Sequence, residues 1–254
     1  MEELIQLAKL AAFEAGKEIL KVYETHFSVE TKSDDSPLTL ADQVGHDKIV
    51  SFLNETNIPI LSEEGKHLPF NQRKEWDSFW LVDPLDGTKE FVKRNGEFTV
   101  NIALIKNNIP VMGVIYVPVQ DVMYYGCDDK AFKIENYSTK AEIQSLPIEY
   151  QREVFTIVGS RSHMSKETEL FFEDMKKAHG DLELLAVGSS LKLCMVAEGK
   201  ADIYPRYAPT MEWDTGAGHA IAKAAGFKVV QYQSNEELVY NKENLLNPWF
   251  LVKK

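Results

Sequence analysis

The residues best equipped for chemistry are two aspartates three positions apart, in Trp80-Leu81-Val82-Asp83-Pro84-Leu85-Asp86-Gly87-Thr88. Trp80, Leu81 and Val82 read as the end of a buried strand. Pro84 has no N–H for a ladder, which predicts that the strand stops there. Gly87 admits backbone angles that other residues avoid, so the turn is tightly held. Two carboxylates this close repel each other unless a cation or a shared proton lies between them. Hard oxygen ligands beside the Thr88 hydroxyl suit Mg²⁺ and a phosphate ester. The same residues also make an acidic turn in which Asp86 caps a short helix through Lys89-Glu90-Phe91. The motif taken alone does not decide between the two.

Acidic residues recur where other elements begin or end. Ile58-Pro59-Ile60-Leu61 reads as a short strand running into Ser62-Glu63-Glu64-Gly65. Ala41-Asp42 opens a helix, with Asp42 in its first turn, where a carboxylate also simply favours the dipole. Glu212-Trp213-Asp214-Thr215 leads into a helix of small residues, and Asp214 reads equally as its N-cap. Gly159-Ser160-Arg161-Ser162-His163 and Gly188-Ser189-Ser190-Leu191-Lys192 each follow a strand. The second starts a helix, whose free N–H groups are suited to an anion, with Lys192 adding charge one turn in. Serine is also a routine cap. Arg206, in Tyr204-Pro205-Arg206-Tyr207, is either a recognition cation or a surface arginine stacked on tyrosine.

The elements that must hold these residues follow from periodicity. Leu4, Leu7, Ala8, Ala11, Ala15, Ile19 and Val22 recur at helical spacing over residues 2–24. Residues 31–40 read as a loop or irregular hairpin, and residues 41–54 as a second helix. Residues 98–105 alternate, with Val100, Ile102 and Leu104 on one face and Thr99, Asn101 and Ala103 on the other. Residues 111–119 and 122–127 are further strands, and 131–134 and 143–146 read as edge strands. Short strands with tight connections imply an antiparallel sheet. From residue 154 onward, strands at 154–158, 182–187, 201–204 and 227–230 alternate with helices at 165–179, 189–198 and 215–225. That alternation predicts a more parallel sheet covered by helices. The expected fold is a layered αβαβα sandwich, α+β over residues 1–148 and α/β over residues 149–254, with a polar insertion at 66–77.

The chain has 254 residues and a net charge of −11, which argues against a broad nucleic-acid or anionic-membrane surface but leaves room for a small phosphorylated ligand. Cys127 and Cys194 belong to no C-x-x-C pair, so they read as buried free thiols rather than zinc ligands. The acidic start and the lack of a long apolar run predict a cytoplasmic protein with no stable membrane insertion; a monomer or homodimer is expected, though these features do not fix the oligomeric state. Peripheral association with an inner membrane stays open.

The motif around Asp83, with Leu61-Ser62-Glu63-Glu64 upstream and Trp213-Asp214 downstream, resembles the inositol monophosphatase superfamily of metal-dependent phosphatases. Within it, Leu85-Asp86-Gly87-Thr88-Lys89-Glu90-Phe91-Val92-Lys93-Arg94-Asn95-Gly96-Glu97-Phe98-Thr99 is similar to the bacterial 3′(2′),5′-bisphosphate nucleotidases of sulfate assimilation, as are the two glycine-serine sites and Pro205-Arg206. A true inositol phosphatase is expected to have a threonine–asparagine pair where Lys89-Glu90 stands. The resemblance implies that Glu63, Asp83, Asp86, Asp214 and the Leu85 carbonyl hold two or three Mg²⁺ ions. It implies that Asp42 and Thr88 orient and activate the attacking water, with Glu63 and Asp86 in the same catalytic set and Glu64 behind them. Ser160, His163, Ser189, Lys192 and Arg206 would hold the nucleotide, with Glu63, Leu85, Asp86, Gly87, Thr88 and Asp214 around the phosphate. The implied reaction is in-line hydrolysis of the 3′-phosphate of adenosine 3′,5′-bisphosphate, extending to the 3′-phosphate of the activated sulfate donor, with lithium sensitivity. An inositol or sugar-phosphate monophosphatase and a non-catalytic nucleotide-binding protein are the alternatives.

Overall fold

Apolar residues on one stripe decide where the first helix lies. Helix α1 (Glu2–Tyr23) buries Ile5, Ala8, Ala11, Ala12, Ala15, Ile19 and Val22. It packs with helix α2 (Pro37–Leu53) on one face of a seven-stranded sheet. The computed structural model describes residues 1–25, 37–66, 68–159 and 165–254. Helix α2 begins a turn earlier than the expected start at Ala41. Proline is favoured in a helix's first turn, where its missing N–H would have no partner. Asp42 therefore stands in the second turn and is not a helix-start carboxylate. Of the loop expected at 31–40, residues 31–36 lie outside the described residues.

The first sheet runs β1 (Ile60–Ser62), β2 (Ser78–Asp86), β3 (Thr99–Lys106), β4 (Ile109–Val117), β5 (Val122–Cys127), β6 (Lys130–Glu135) and β7 (Glu142–Leu146), adjacent in that order. All neighbours from β2 onward are antiparallel. Strand β6 lies between β5 and β7, so of the two expected edge strands only β7 is one. Strand β1 instead runs parallel to β2, with Ser62 opposite Val82. Both strands thus deliver their acidic ends to the same side. Strand β2 continues through Pro84 to Asp86, contrary to the expected stop, and its register with β3 shifts between Asp83 and Asp86. The bulge takes up the residue that cannot donate. Asp86 ends the strand; Gly87, at φ 93°, is the N-cap of helix α4 (Thr88–Lys93), without a side-chain cap.

The second sheet holds β8 (Phe155–Gly159), β9 (Leu182–Ala186), β10 (Ile203–Arg206), β11 (Lys228–Gln231) and β12 (Phe250–Lys253), in the order β11-β12-β10-β8-β9. Strand β8 is parallel to both β9 and β10. Strand β12, which periodicity did not announce, lies antiparallel between β10 and β11, so the sheet is mixed. Between the sheets lie helix α6 (Leu191–Glu198) and helix α7 (Glu212–Ala224), and helix α5 (Lys166–His179) lies outside. Two cores result. Val82, Val100, Ile102 and Val114 face α1 and α2. Leu81, Ala103, Ile115 and Val117 face Val196, Ala217, Ile221 and the second sheet's Val158, Tyr204 and Phe250. This is the expected layered sandwich. Helix α7 lies so close to the first sheet that a Cβ on Gly113 would come within 2.2 Å of the Ala217 carbonyl oxygen. Both cysteines are free, but only Cys194 is buried; Cys127 is half-buried.

Candidate active site

Three elements bring carboxylates to one place. The parallel β1–β2 pairing puts Glu63 directly after β1, where its N–H donates to the Val82 carbonyl at 3.1 Å. Asp83 follows Val82 on β2, and Asp214 projects from the first turn of α7. One carboxylate oxygen of each of Glu63, Asp83 and Asp214 lies within 4.8 Å of the others. Asp83 is 1% exposed, and its Oδ1 accepts the Leu85 N–H at 3.1 Å. Its Oδ2 is buried with no hydrogen-bond partner among the described residues. Leu85 has its side chain in the helix-facing core, which leaves its backbone as the part with polar atoms to offer. Asp214 Oδ2 also accepts the Met211 N–H at 2.9 Å; Met211, not Asp214, is the N-cap, and Asp214 ties back to it from the third helical position while belonging to the acid cluster.

Burial is the first cause that raises all of these carboxyls, and mutual repulsion adds to it. Asp42 is pushed up to about 8 by burial and by Glu64 and Glu63. Glu63 rises to about 7 by burial and by the charges of Glu64 and Asp86. Asp214 rises to about 7 by burial and the Asp86 charge. Asp83, fully enclosed, is raised well above its ordinary value by burial and by Asp86, Glu63 and Asp214. Such a cluster is unfavourable when ionised without a cation. An orphaned buried Oδ2 amid three further carboxylates is what a hard divalent ion fits.

Beside the cluster opens a cavity of about 370 Å³, lined by Asp86, Gly87, Lys89, Glu90, Ser189, Ser190, Lys192, Tyr204, Arg206, Thr210 and Asp214 among others. Lys192 is 7% exposed, and burial lowers its pKa. Its Nζ donates to the Ser189 carbonyl at 3.0 Å. Arg206 donates to the Pro209 carbonyl at 3.0 Å, while its buried Nε has no partner among the described residues. These are cations with donors to spare at the cavity wall.

The expected site residues therefore divide. Glu63, Asp83, Asp86 and Asp214 come together, with Asp42 near enough to feel Glu63 and Glu64. Gly87, Ser189, Lys192 and Arg206 line the adjoining cavity. Thr88 is exposed at the first position of α4, and no hydrogen bond joins it to Asp42 among the described residues. Ser160 and His163 lie outside the described residues. The Ser189 hydroxyl donates to the Glu97 carbonyl, so its side chain ties the turn to the first half of the chain. Sequence reading passed over Ser190, which is 2% exposed and lies 2.6 Å from Asp86 Oδ2, 2.8 Å from the Asp214 carbonyl and 2.9 Å from Asn101 Nδ2. The signal was present in the doubled serine before α6: Ser190 occupies the N-cap position without making a cap bond. Lys89 and Glu90 also line the cavity.

The model of the inositol monophosphatase family matches residues 1–250. The chain belongs to the inositol monophosphatase family. Among its relatives, the 3′(2′),5′-bisphosphate nucleotidase CysQ of Salmonella typhimurium is 44% identical over 256 residues, covering 99% of this chain and 98% of the relative. The enzyme of the same name from Escherichia coli K12 is 42% identical over the same shares. The crystal structure of CysQ from Bacteroides thetaiotaomicron matches with a TM-score of 0.94 and 52% identity, over 99% of this chain and 97% of that one. An inositol monophosphatase from Zymomonas mobilis shares the fold at a TM-score of 0.76 and 21% identity, over 99% and 92%. Divalent metal, generally Mg²⁺, is the family's cofactor. No helix among the described residues is long and apolar enough to cross a membrane.

Ser190 gives a first expected result. Its hydroxyl has one proton, and the nearer, charged Asp86 Oδ2 is the stronger acceptor. Removing it in Ser190→Ala leaves Asp86 without that bond and is expected to weaken Mg²⁺ binding about tenfold, the low end for residues that orient metal ligands. Isothermal calorimetry on the purified variant measures this, and unchanged affinity would show that Asp86 is held by other means.

Proposed function

We propose that the protein is a Mg²⁺-dependent 3′(2′),5′-bisphosphate nucleotidase, hydrolysing the 3′-phosphate of adenosine 3′,5′-bisphosphate to give AMP and phosphate. The 3′-phosphate of the activated sulfate donor and lithium sensitivity belong to the same reading. The observation that carries it is the union of an acid cluster with a cavity walled by Lys192 and Arg206. A monophosphate needs the first alone; a bisphosphate makes use of both.

In this reading Glu63, Asp83, Asp86, Asp214 and the Leu85 carbonyl hold two or three ions. Bound divalent ions supply charge neutralisation at the phosphate and acidify a water. Asp42, which lies against Glu63 and Glu64, takes up the proton that the water gives up. Thr88, one position past the Gly87 turn, directs the water's lone pair by hydrogen bonding. The leaving 3′-oxygen takes its proton from water or from Asp214. Lys192 and Arg206 hold the remote 5′-phosphate, and Ser160 and His163 contribute to the nucleotide site. Residues 1–148 thus supply most of the acid cluster, and residues 149–254 supply Asp214 and the grip on the nucleotide. Fixing both ends of the substrate converts binding of the remote phosphate into orientation at the reacting one.

Phosphate release from adenosine 3′,5′-bisphosphate with Mg²⁺ is the direct assay. Good activity on inositol 1-phosphate with none on the bisphosphate would overturn the substrate and leave the chemistry. Lys192→Ala sharpens the distinction. A charge-assisted bond to the 5′-phosphate is worth about 1.5–3 kcal/mol, so KM for the bisphosphate should rise about tenfold or more. KM for a nucleoside 3′-monophosphate should stay nearly constant. Equal rises for both substrates would place Lys192 elsewhere in the mechanism.

A further inference from the structure

Two buried charged residues are not among those that line the cavity and are unused by the reaction. Arg73 ends the short helix α3 (Phe70–Arg73), inside the insertion at 66–77, and is 2% exposed. Glu212, the first residue of α7, is fully buried. The segment that follows β11 links them. Arg73 Nη1 donates to Asn241 Oδ1 at 2.7 Å, Asn241 Nδ2 donates back to the Arg73 carbonyl at 2.8 Å, and Arg73 Nη2 donates to the Glu243 carbonyl at 3.1 Å. The Asn241 N–H then donates to Glu212 Oε2 at 2.6 Å. The Lys242 N–H and Nζ donate to Glu212 Oε1 at 3.0 and 2.6 Å. On the other side of the helix start, Asn247 Nδ2 donates to the Met211 carbonyl at 2.8 Å and to Thr215 Oγ1 at 3.0 Å.

The first turn of α7 is thus gripped on both flanks of Asp214, whose own carboxylate is tied to that turn through the Met211 N–H. Asp214 is the one member of the acid cluster that comes from the second half of the chain, and Asp83 and Glu63 repel it when ionised. Something outside the cluster has to hold α7 against that repulsion. We propose that Arg73, Asn241 and Glu212 are positioning residues for divalent-ion binding, a buried relay that carries the insertion's grip to the start of α7 and fixes Asp214 relative to Glu63 and Asp83. The proposal rests on the reading of Asp214 as a metal ligand.

The test measures Mg²⁺ affinity by calorimetry on the nucleotide-free protein, together with melting temperature and KM for the bisphosphate at saturating Mg²⁺, for Asn241→Ala, Arg73→Lys and Asp214→Asn. Asn241→Ala is expected to weaken Mg²⁺ about tenfold, as outer partners of metal ligands do. Arg73→Lys, which keeps the charge and loses the fork, should lie between it and wild type. KM for the bisphosphate should change little in both, because Lys192 and Arg206 are untouched. A folded Asn241→Ala protein with a lower melting temperature and wild-type Mg²⁺ affinity would overturn the relay. Wild-type Mg²⁺ affinity in Asp214→Asn would instead overturn the metal reading beneath it. Should Asn241→Ala fail to fold, Lys242→Met removes one bond to Glu212 from a partly exposed side chain and has the same expected and overturning results.

Discussion

Asp83→Asn is expected to abolish turnover while making the metal-free protein more stable, an outcome opposite in sign to ordinary core damage. Asp83 is enclosed, its Oδ1 occupied by the Leu85 N–H and its Oδ2 facing other carboxylates without a partner among the described residues. Asparagine keeps the Oδ1 acceptor and the volume. It replaces the orphan oxygen with an N–H₂ group that donates to its acidic neighbours, so the repulsion from Asp86, Glu63 and Asp214 turns into attraction. The cation loses a central charged ligand. If the ion's hold on the transition state falls by about 4 kcal/mol, kcat falls about a thousandfold. Melting temperature in chelator should rise above wild type at mildly alkaline pH. A folded variant with near-normal turnover would remove Asp83 from the mechanism. A variant with a melting temperature below wild type in chelator would show that the site is not under the electrostatic load inferred for it.

That load explains why the centre of the site was legible in the sequence and its surroundings were not. Asp83, Asp86 and Glu63 sit beside turn residues and strand-like runs, so their spacing offers a cluster as one of two readings, and the family resemblance favours it. Local rules misplaced two of its neighbours. Pro84 was expected to end β2, but a bulge accommodates it and carries the strand on to Asp86. Asp42 was expected in a helix's first turn, but Pro37 lets α2 start earlier and leaves Asp42 facing the cluster. Ser189 and Ser190 are adjacent and chemically identical; only tertiary contact turns one to the Glu97 carbonyl and the other to Asp86. The segment after β11, with Asn241, Lys242 and Asn247, has no periodicity because its bonds run to Arg73, Glu212 and Met211 rather than along itself. Its consequence, strand β12, went unseen for the same reason.

The same electrostatics make the stability of the metal-free protein fall as pH rises, which is the reverse of what salt-bridged carboxylates produce. Asp42 moves from 3.8 to about 8, Glu63 from 4.5 to about 7 and Asp214 from 3.8 to about 7 on folding, each chiefly through burial. For groups raised in this way the folded state holds more protons than the unfolded one between the two values. Their contribution is fully present below the unfolded pKa and is lost as pH rises through the folded one. His219 opposes this: burial lowers its pKa below the ordinary 6.5, so it favours folding as pH rises toward that value. Above about pH 6.5 the His219 contribution has saturated and no longer offsets the carboxylates. Melting temperature in chelator should therefore fall between about pH 6.5 and about pH 8.5, most steeply at the acidic end of that interval, and level off above the folded pKa values. A divalent ion binds the ionised cluster, so the fall should largely vanish with Mg²⁺ present. The stabilisation by Mg²⁺, about 2.7 kcal/mol at a hundredfold excess over Kd, should grow with pH as Kd drops. Asp42→Asn should flatten the chelator curve at its alkaline end, since Asp42 titrates last among these three. A melting temperature in chelator that stays level across this interval would mean that the carboxylates are already ionised and screened, and the cluster's demand for a cation would lose its physical basis.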